Sequence, residues 1–122
     1  MPKISHEKRS FKRYPVRLNV GLRTEPDGSY TEGDFVENVS VGGMKLATET
    51  GVNEGGMLYC NIRLSDADNI ETIGKVVWTR RDRHHTNKER ELGIKFISIK
   101  PVDKFRLLQY AYQQWLEGTV KD

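Results

Sequence analysis

The chain reads as a small all-β domain, an antiparallel barrel or sandwich, that ends in one α-helix. Three observations predict this class. Stretches of alternating apolar and polar residues recur at intervals of roughly ten residues, separated by turn residues and never by a helical pattern. From Pro101 onward the apolar spacing changes from two to three and four, the change of period that separates a strand from a helix. The length of 122 residues suits one domain with a real core rather than two.

The elements follow in order. Residues 1–14 carry basic groups without apolar periodicity and are expected to form a flexible arm that orders on binding; the barrel and helix are expected over 15–122. After Pro15, the residues Val16, Leu18, Val20 and Leu22 alternate with Arg17, Asn19, Gly21 and Arg23, the pattern of a half-buried strand. Pro26-Asp27-Gly28-Ser29 supplies a turn, because proline presets φ and glycine accepts positive φ. A second strand is expected from about Thr31 to Asn38, with Phe35 and Val36 as its apolar content. Val41-Gly42-Gly43 interrupts it, and Gly43–Thr48 resumes with Met44 and Leu46 on one face. After Gly55-Gly56, the residues Leu58, Cys60, Ile62 and Leu64 alternate again. Asp66–Asn69 reads as a polar turn, and Ile70–Arg80 as a long β-branched strand. Arg80–Arg90 holds too few apolar residues to pack, so it reads as a loop or hairpin end before a last strand with Leu92, Ile94 and Phe96.

The helix is expected over about 101–117. Phe105, Leu108, Tyr112 and Trp115 are spaced three, four and three, with Leu107, Ala111 and Leu116 widening the stripe. Pro101 suits a first turn and Gly118 a stop. The aromatic stripe is expected to pack on an open end or flank of the barrel.

Composition narrows the function. No run of 18 apolar residues exists, which excludes a transmembrane helix, and no apolar stretch follows the N-terminus, so a secretory signal is not expected. A single cysteine, Cys60, can neither close an internal disulfide nor make a four-cysteine zinc site, and it fits a reducing cytoplasm. The net charge of +3 conceals a dipole. Residues 1–17 hold six basic groups and one acid, residues 80–90 hold five and two, and the rest of the chain sums to −5. Two basic clusters on an acidic body point to an anionic partner.

Catalysis is the least supported class. Val39-Ser40-Val41-Gly42-Gly43 lacks the leading glycine of a nucleophile elbow. Cys60 falls on the apolar face of a strand, where a thiol serves as a small core residue. His84 and His85 are adjacent, so in an extended chain they point to opposite sides, and no P-loop, dinucleotide fingerprint or paired-histidine helix is present. No enzyme activity, cofactor or metal is expected.

Two short segments carry more. Arg9-Ser10-Phe11-Lys12-Arg13 places two guanidiniums four residues apart just before the first strand, and each offers a planar fork of donors that matches phosphate oxygens or the O6/N7 edge of guanine. Asn38-Val39-Ser40-Val41-Gly42-Gly43 lies between two strands; its asparagine and serine supply short hydrogen-bonding groups and its last glycine permits close approach. Each segment alone is a common pattern, the second an ordinary Asx-type turn. Together they resemble the PilZ domain family, whose paired motifs are Arg-x3-Arg and Asp/Asn-x-Ser-x2-Gly. Gly74-Lys75-Val76-Val77-Trp78 resembles that family's penultimate strand, and Leu92-Gly93-Ile94-Lys95-Phe96 its last. The resemblance covers essentially residues 7–117.

The resemblance implies a six-stranded antiparallel β-barrel with a C-terminal helix, and cyclic di-GMP as ligand. It implies that Arg9 and Arg13 reach phosphates and guanine O6/N7, that Asn38 and Ser40 bond the other guanine edge, and that Gly43 keeps the turn clear of the base. Trp78 resembles a position whose ring stacks on guanine, with Arg80 on the same strand face; a core role for Trp78 is the alternative. Lys8, just before Arg9, resembles a marker for an intercalated ligand dimer, and stoichiometry stays open. Asn38 stands where many members have aspartate, which accepts from guanine more strongly. The implied role is a bacterial receptor that orders its arm around the dinucleotide and signals to a protein partner in motility, adhesion, biofilm or exopolysaccharide control. The alternatives are a single-stranded nucleic-acid-binding barrel, built on the basic clusters with Trp78, Tyr59 and Tyr30, and an adaptor of the same fold that binds no nucleotide.

Overall fold

A computed structural model describes residues 12–81 and 90–118. Six strands, β1 (Tyr14–Arg23), β2 (Thr31–Val39), β3 (Gly43–Thr48), β4 (Met57–Ser65), β5 (Asp68–Arg81) and β6 (Arg90–Ser98), precede one helix, α1 (Pro101–Glu117). They close into an antiparallel barrel in the order β1-β2-β3-β6-β5-β4. Closure removes the free sheet edges that a six-stranded open sheet would expose. Of the two all-β architectures consistent with the strand pattern, the barrel is the one formed.

The alternation read from the sequence fills the interior. Val16, Leu18, Val20 and Leu22 from β1 meet Val36, Met44, Leu46, Leu58, Cys60, Ile62, Ile70, Val76, Leu92 and Ile94 in one buried cluster. Their burial supplies the main driving force, about 1.5–3 kcal/mol for each large side chain. The turn expected at Asp66–Asn69 is tighter than that: β4 runs through Ser65 and β5 begins at Asp68, with Ser65 paired to Asp68. The barrel begins at Tyr14, so the end of the expected arm is already strand; residues 1–11 lie outside the described residues.

Two bulges decide which side chains leave the core. Alternation along β5 continues inward from Ile70 through Val76 and would turn Trp78 inward as well. A register shift between Val76 and Trp78 inserts Val77 as an extra residue, which reverses the phase and pairs Trp78 with Gly93 on the outer wall. The same device acts on β2, where a shift between Val36 and Asn38 lifts Asn38 outward opposite Lys45. A bulge re-aims a side chain in this way without ending the strand.

The helix keeps its expected limits, and part of its expected stripe packs on the barrel flank. Pro101 sits in its first turn and Gly118 (φ 72°) caps its end in the left-handed conformation, where glycine carries no Cβ penalty. The residues buried against the barrel are Leu107 and Ala111, whereas Phe105 is 64% exposed and Leu116 58%. Tyr14 meets the stripe at the rim of this contact. Its ring occupies the flank of β1 and meets Tyr112 and Trp115 edge-on at 5.7 and 5.9 Å, so the aromatic residues ring the contact and the slimmer Leu107 and Ala111 enter it. Arg106 ties the start of the helix to the β4–β5 turn through Asp68 and also bonds Asp103.

Candidate functional site

The site lies on the outer wall of the barrel. Cross-strand pairing places Asn38 beside Lys45, Lys45 beside Gly93, and Gly93 beside Trp78. These four form one row across β2, β3, β6 and β5, spanning three strand spacings or about 14 Å. The next row is Phe35, Ala47, Glu91 and Arg80. Gly93 and Ala47 are the small residues of these two rows, set among the bulkier Asn38, Lys45, Trp78, Phe35, Glu91 and Arg80, and we refer to this stretch of the wall as the trough. Gly93 is required at its floor: a Cβ there would lie 2.1 Å from Trp78 Nε1, because the indole lies across the glycine. Trp78 is half-buried and outside the core cluster.

At the β2 edge, Arg13 Nη1 donates to Asn38 Oδ1 at 2.9 Å. This bond joins the two motif segments across 25 residues of chain. Lys12, the preceding residue, sends its ammonium the other way, to 4.6 Å from the centre of the Trp115 ring. The root of the arm is therefore held to the trough by one side chain and to α1 by its neighbour. Arg9 and Lys8 lie outside the described residues, as do His84 and His85.

Ser40 and Gly43 serve the turn itself. Ser40 is buried; its N–H donates to the Gly43 carbonyl at 2.8 Å, and its hydroxyl approaches the same oxygen at 3.4 Å. A Cβ on Gly43 would lie 1.9 Å from the Ile94 carbonyl oxygen. The fold alone therefore demands this glycine, independently of any ligand.

At the β5 edge, the Arg80 guanidinium lies 5.2 Å from the Trp78 ring centre, and its Nε donates to Glu91 Oε1 at 2.6 Å. Lys45 Nζ sits 3.2 Å from the other Glu91 oxygen and 3.3 Å from Glu37 Oε1, close enough for ion pairing though not aligned as hydrogen bonds. Arg17 stacks 3.8 Å over the Phe35 ring at the opposite corner. Sequence reading missed Arg17, Lys45 and Glu91. Only strand register brings them to the trough, and a lone charge on an alternating strand gives no sign of that.

A cavity of about 590 Å³ opens away from the trough, lined by Arg23, Tyr30, Tyr59, Thr72, Ser98 and Lys100 among others. None of the residues expected to bind cyclic di-GMP borders it, whereas Tyr30 and Tyr59, two of the aromatics of the alternative nucleic-acid reading, do. Arg23 stacks at 4.3 Å on Tyr30 and donates to the Gly28 carbonyl, and desolvation, partly offset by Arg23, raises the Tyr30 phenol above its usual pKa. The motif residues that the structure brings together, Arg13 and Asn38, lie at the trough and not at this cavity. Among the described residues no group of three or more His, Cys, Asp or Glu is placed to hold a metal ion, and no helix is long and apolar enough to cross a membrane.

A small closed β-barrel with its polar constellation on the outer wall is a recognisable class of domain. The PilZ domain family model matches residues 7–113, and the chain belongs to that family. A comparison with curated proteins finds no match. Among solved structures, the inhibitor of motility MotI/DgrA of Bacillus subtilis aligns with a TM-score of 0.73 and 23% identity over 91% of this chain. The chain spans 53% of that protein's length. The PilZ domain of YcgR from Escherichia coli, determined with c-di-GMP, aligns with a TM-score of 0.72 and 14% identity, covering 92% of this chain and 95% of that one. A tetrameric PilZ domain from Xanthomonas campestris aligns with a TM-score of 0.66 and 12% identity, covering 91% and 92%.

Proposed function

We propose that this domain is a receptor for cyclic di-GMP, held in the outer trough between the arginine arm and the barrel. The observation that carries this reading is the Arg13–Asn38 bond, which brings the two motif halves together at one edge of the trough. In this reading Arg13 and Arg9 clamp phosphate and the guanine O6/N7 edge, Asn38 meets the other guanine edge, Ser40 holds the turn that presents it, and Trp78 with Arg80 supplies a stacking surface at the far wall. The c-di-GMP-bound YcgR domain of the same fold supports the choice of ligand. Base stacking on a ring such as Trp78 contributes about 1–3 kcal/mol, and charge-assisted bonds about 1.5–3 kcal/mol each.

Ligand capture then orders the arm, and the arm with the barrel wall becomes the surface a partner protein reads. A bacterial motility or surface-attachment pathway is the setting we favour, in line with the motility role named for MotI. Calorimetric titration with cyclic di-GMP, GTP and a single-stranded oligonucleotide tests the reading. Binding to cyclic di-GMP alone, weakened about 10–100-fold in Arg13→Ala through the loss of one or more charge-assisted bonds, supports it. Oligonucleotide binding with a steep salt dependence points to a nucleic-acid module instead, and no binding at all points to an adaptor.

A further inference from the structure

We propose that Glu91 is a positioning residue for this site, and that Lys45 is an additional ligand-facing cation that Glu91 holds in place. The proposal rests on the nucleotide-binding reading above. Glu91 belongs to the outward-facing set of β6, paired between Ala47 and Arg80, where a carboxylate would ordinarily be solvated. It is instead 2% exposed. Its two oxygens face two cations that are themselves accessible: the Arg80 side chain is 61% exposed and that of Lys45 22%. A buried anion beneath one exposed and one half-buried cation differs from an ordinary surface ion pair, which leaves both partners in water and adds little.

The arrangement fixes direction as well as charge. Glu91 takes Arg80 through Nε, so the terminal amino groups are the part of the fork left to meet a ligand beside the Trp78 ring. Lys45 stands in the same row as Asn38 and Trp78, at the middle of the trough. A phosphate or guanine edge held between Arg13 and Trp78 would cross the row that Lys45 occupies, where its ammonium lies between Glu91 Oε2 at 3.2 Å and Glu37 Oε1 at 3.3 Å. Supporting residues of this kind restrict the rotamers of the groups that touch the ligand. Removing comparable supporting partners in metal sites costs about 10–100-fold in affinity.

The test uses Glu91→Gln in the full chain, Arg80→Ala, and the double variant, each titrated with cyclic di-GMP and melted without it. Glu91→Gln is expected to bind about tenfold more weakly, with the melt establishing that the variant is folded at the titration temperature. The double variant is expected to bind like Arg80→Ala with at most the residual loss due to Lys45, because Glu91 acts through the cations it holds. In ligand-free protein, the Arg80 Nε–H resonance, slowed in exchange by its bond to Glu91, is expected to disappear into solvent exchange in Glu91→Gln. Unchanged affinity in Glu91→Gln, or fully additive losses in the double variant, overturns the positioning role while leaving the receptor reading intact. Failure of the wild-type protein to bind cyclic di-GMP overturns both.

Discussion

Replacing Gly43 with alanine is the perturbation whose effect the structure specifies most closely. The new Cβ would sit 1.9 Å from the Ile94 carbonyl oxygen, 3.0 Å from its carbon and 3.3 Å from Lys95 Cα. All three are backbone atoms of β6, so no side chain can swing aside, and the strands must separate by roughly 1 Å. Separation weakens the contacts that seat the turn, Ser40 N–H to Gly43 O at 2.8 Å and Phe96 N–H to Gly42 O at 2.9 Å. Two such bonds at about 1 kcal/mol each, with about 1–3 kcal/mol for overpacking, give a loss of about 3–5 kcal/mol. Against a typical domain stability of about 5–15 kcal/mol, that is a large fraction, and at about 3–5 °C per kcal/mol for this size it lowers the melting temperature by more than about 10 °C. Thermal denaturation followed by circular dichroism, without ligand, measures it. Gly51→Ala is the control, since a Cβ there meets nothing within 4 Å, and it should melt with wild type. If Gly43→Ala melts with wild type too, the steric argument is refuted.

Three further outcomes can be measured. Asn38→Asp should bind cyclic di-GMP several-fold more tightly in calorimetry, because a carboxylate can accept from Arg13 with one oxygen and from guanine with the other, in bonds about twice as strong as neutral ones; weaker binding would show that the ion pair between Arg13 and the introduced carboxylate closes the trough instead. Burial raises the Cys60 thiol from 9.0 to about 12, so the native protein should resist a thiol reagent at pH 8 and react fully once unfolded. The sign for stability follows: above pH 9 the unfolded thiol ionises while the folded one stays protonated, and denaturant midpoints should fall from pH 9 toward pH 12.

The strands were legible because one face of each had to be apolar: Val16 to Leu22 and Leu58 to Ile62 announce their inward positions by alternation alone. The bulges at Glu37 and Val77 were not, since an inserted residue leaves the composition of a strand unchanged and appears only against its neighbour. Alternation therefore left Trp78 between core and ligand wall, and it is the extra residue Val77 that carries it outward. The helix was legible in part. Its spacing marks the helical face that meets the barrel, but spacing alone does not separate Leu107 and Ala111, which are fully buried, from Tyr112 and Trp115, which meet Tyr14 at the rim, or from Phe105 and Leu116, which stay exposed. Of the site, the residues recognisable by motif are those that converge from distant segments, Arg13 and Asn38. Lys45 and Glu91 needed the register of β3, β6 and β5 to be seen at all.

The claim that ligand is held in the trough is tested most directly by a ¹H–¹⁵N NMR titration of the protein with cyclic di-GMP. The account predicts shifts concentrated at Asn38, Ser40, Lys45, Gly93 and the Trp78 indole N–H, with Arg23, Tyr30, Tyr59 and Thr72 around the 590 Å³ cavity unmoved. Shifts centred on the cavity residues, with the trough silent, would contradict it.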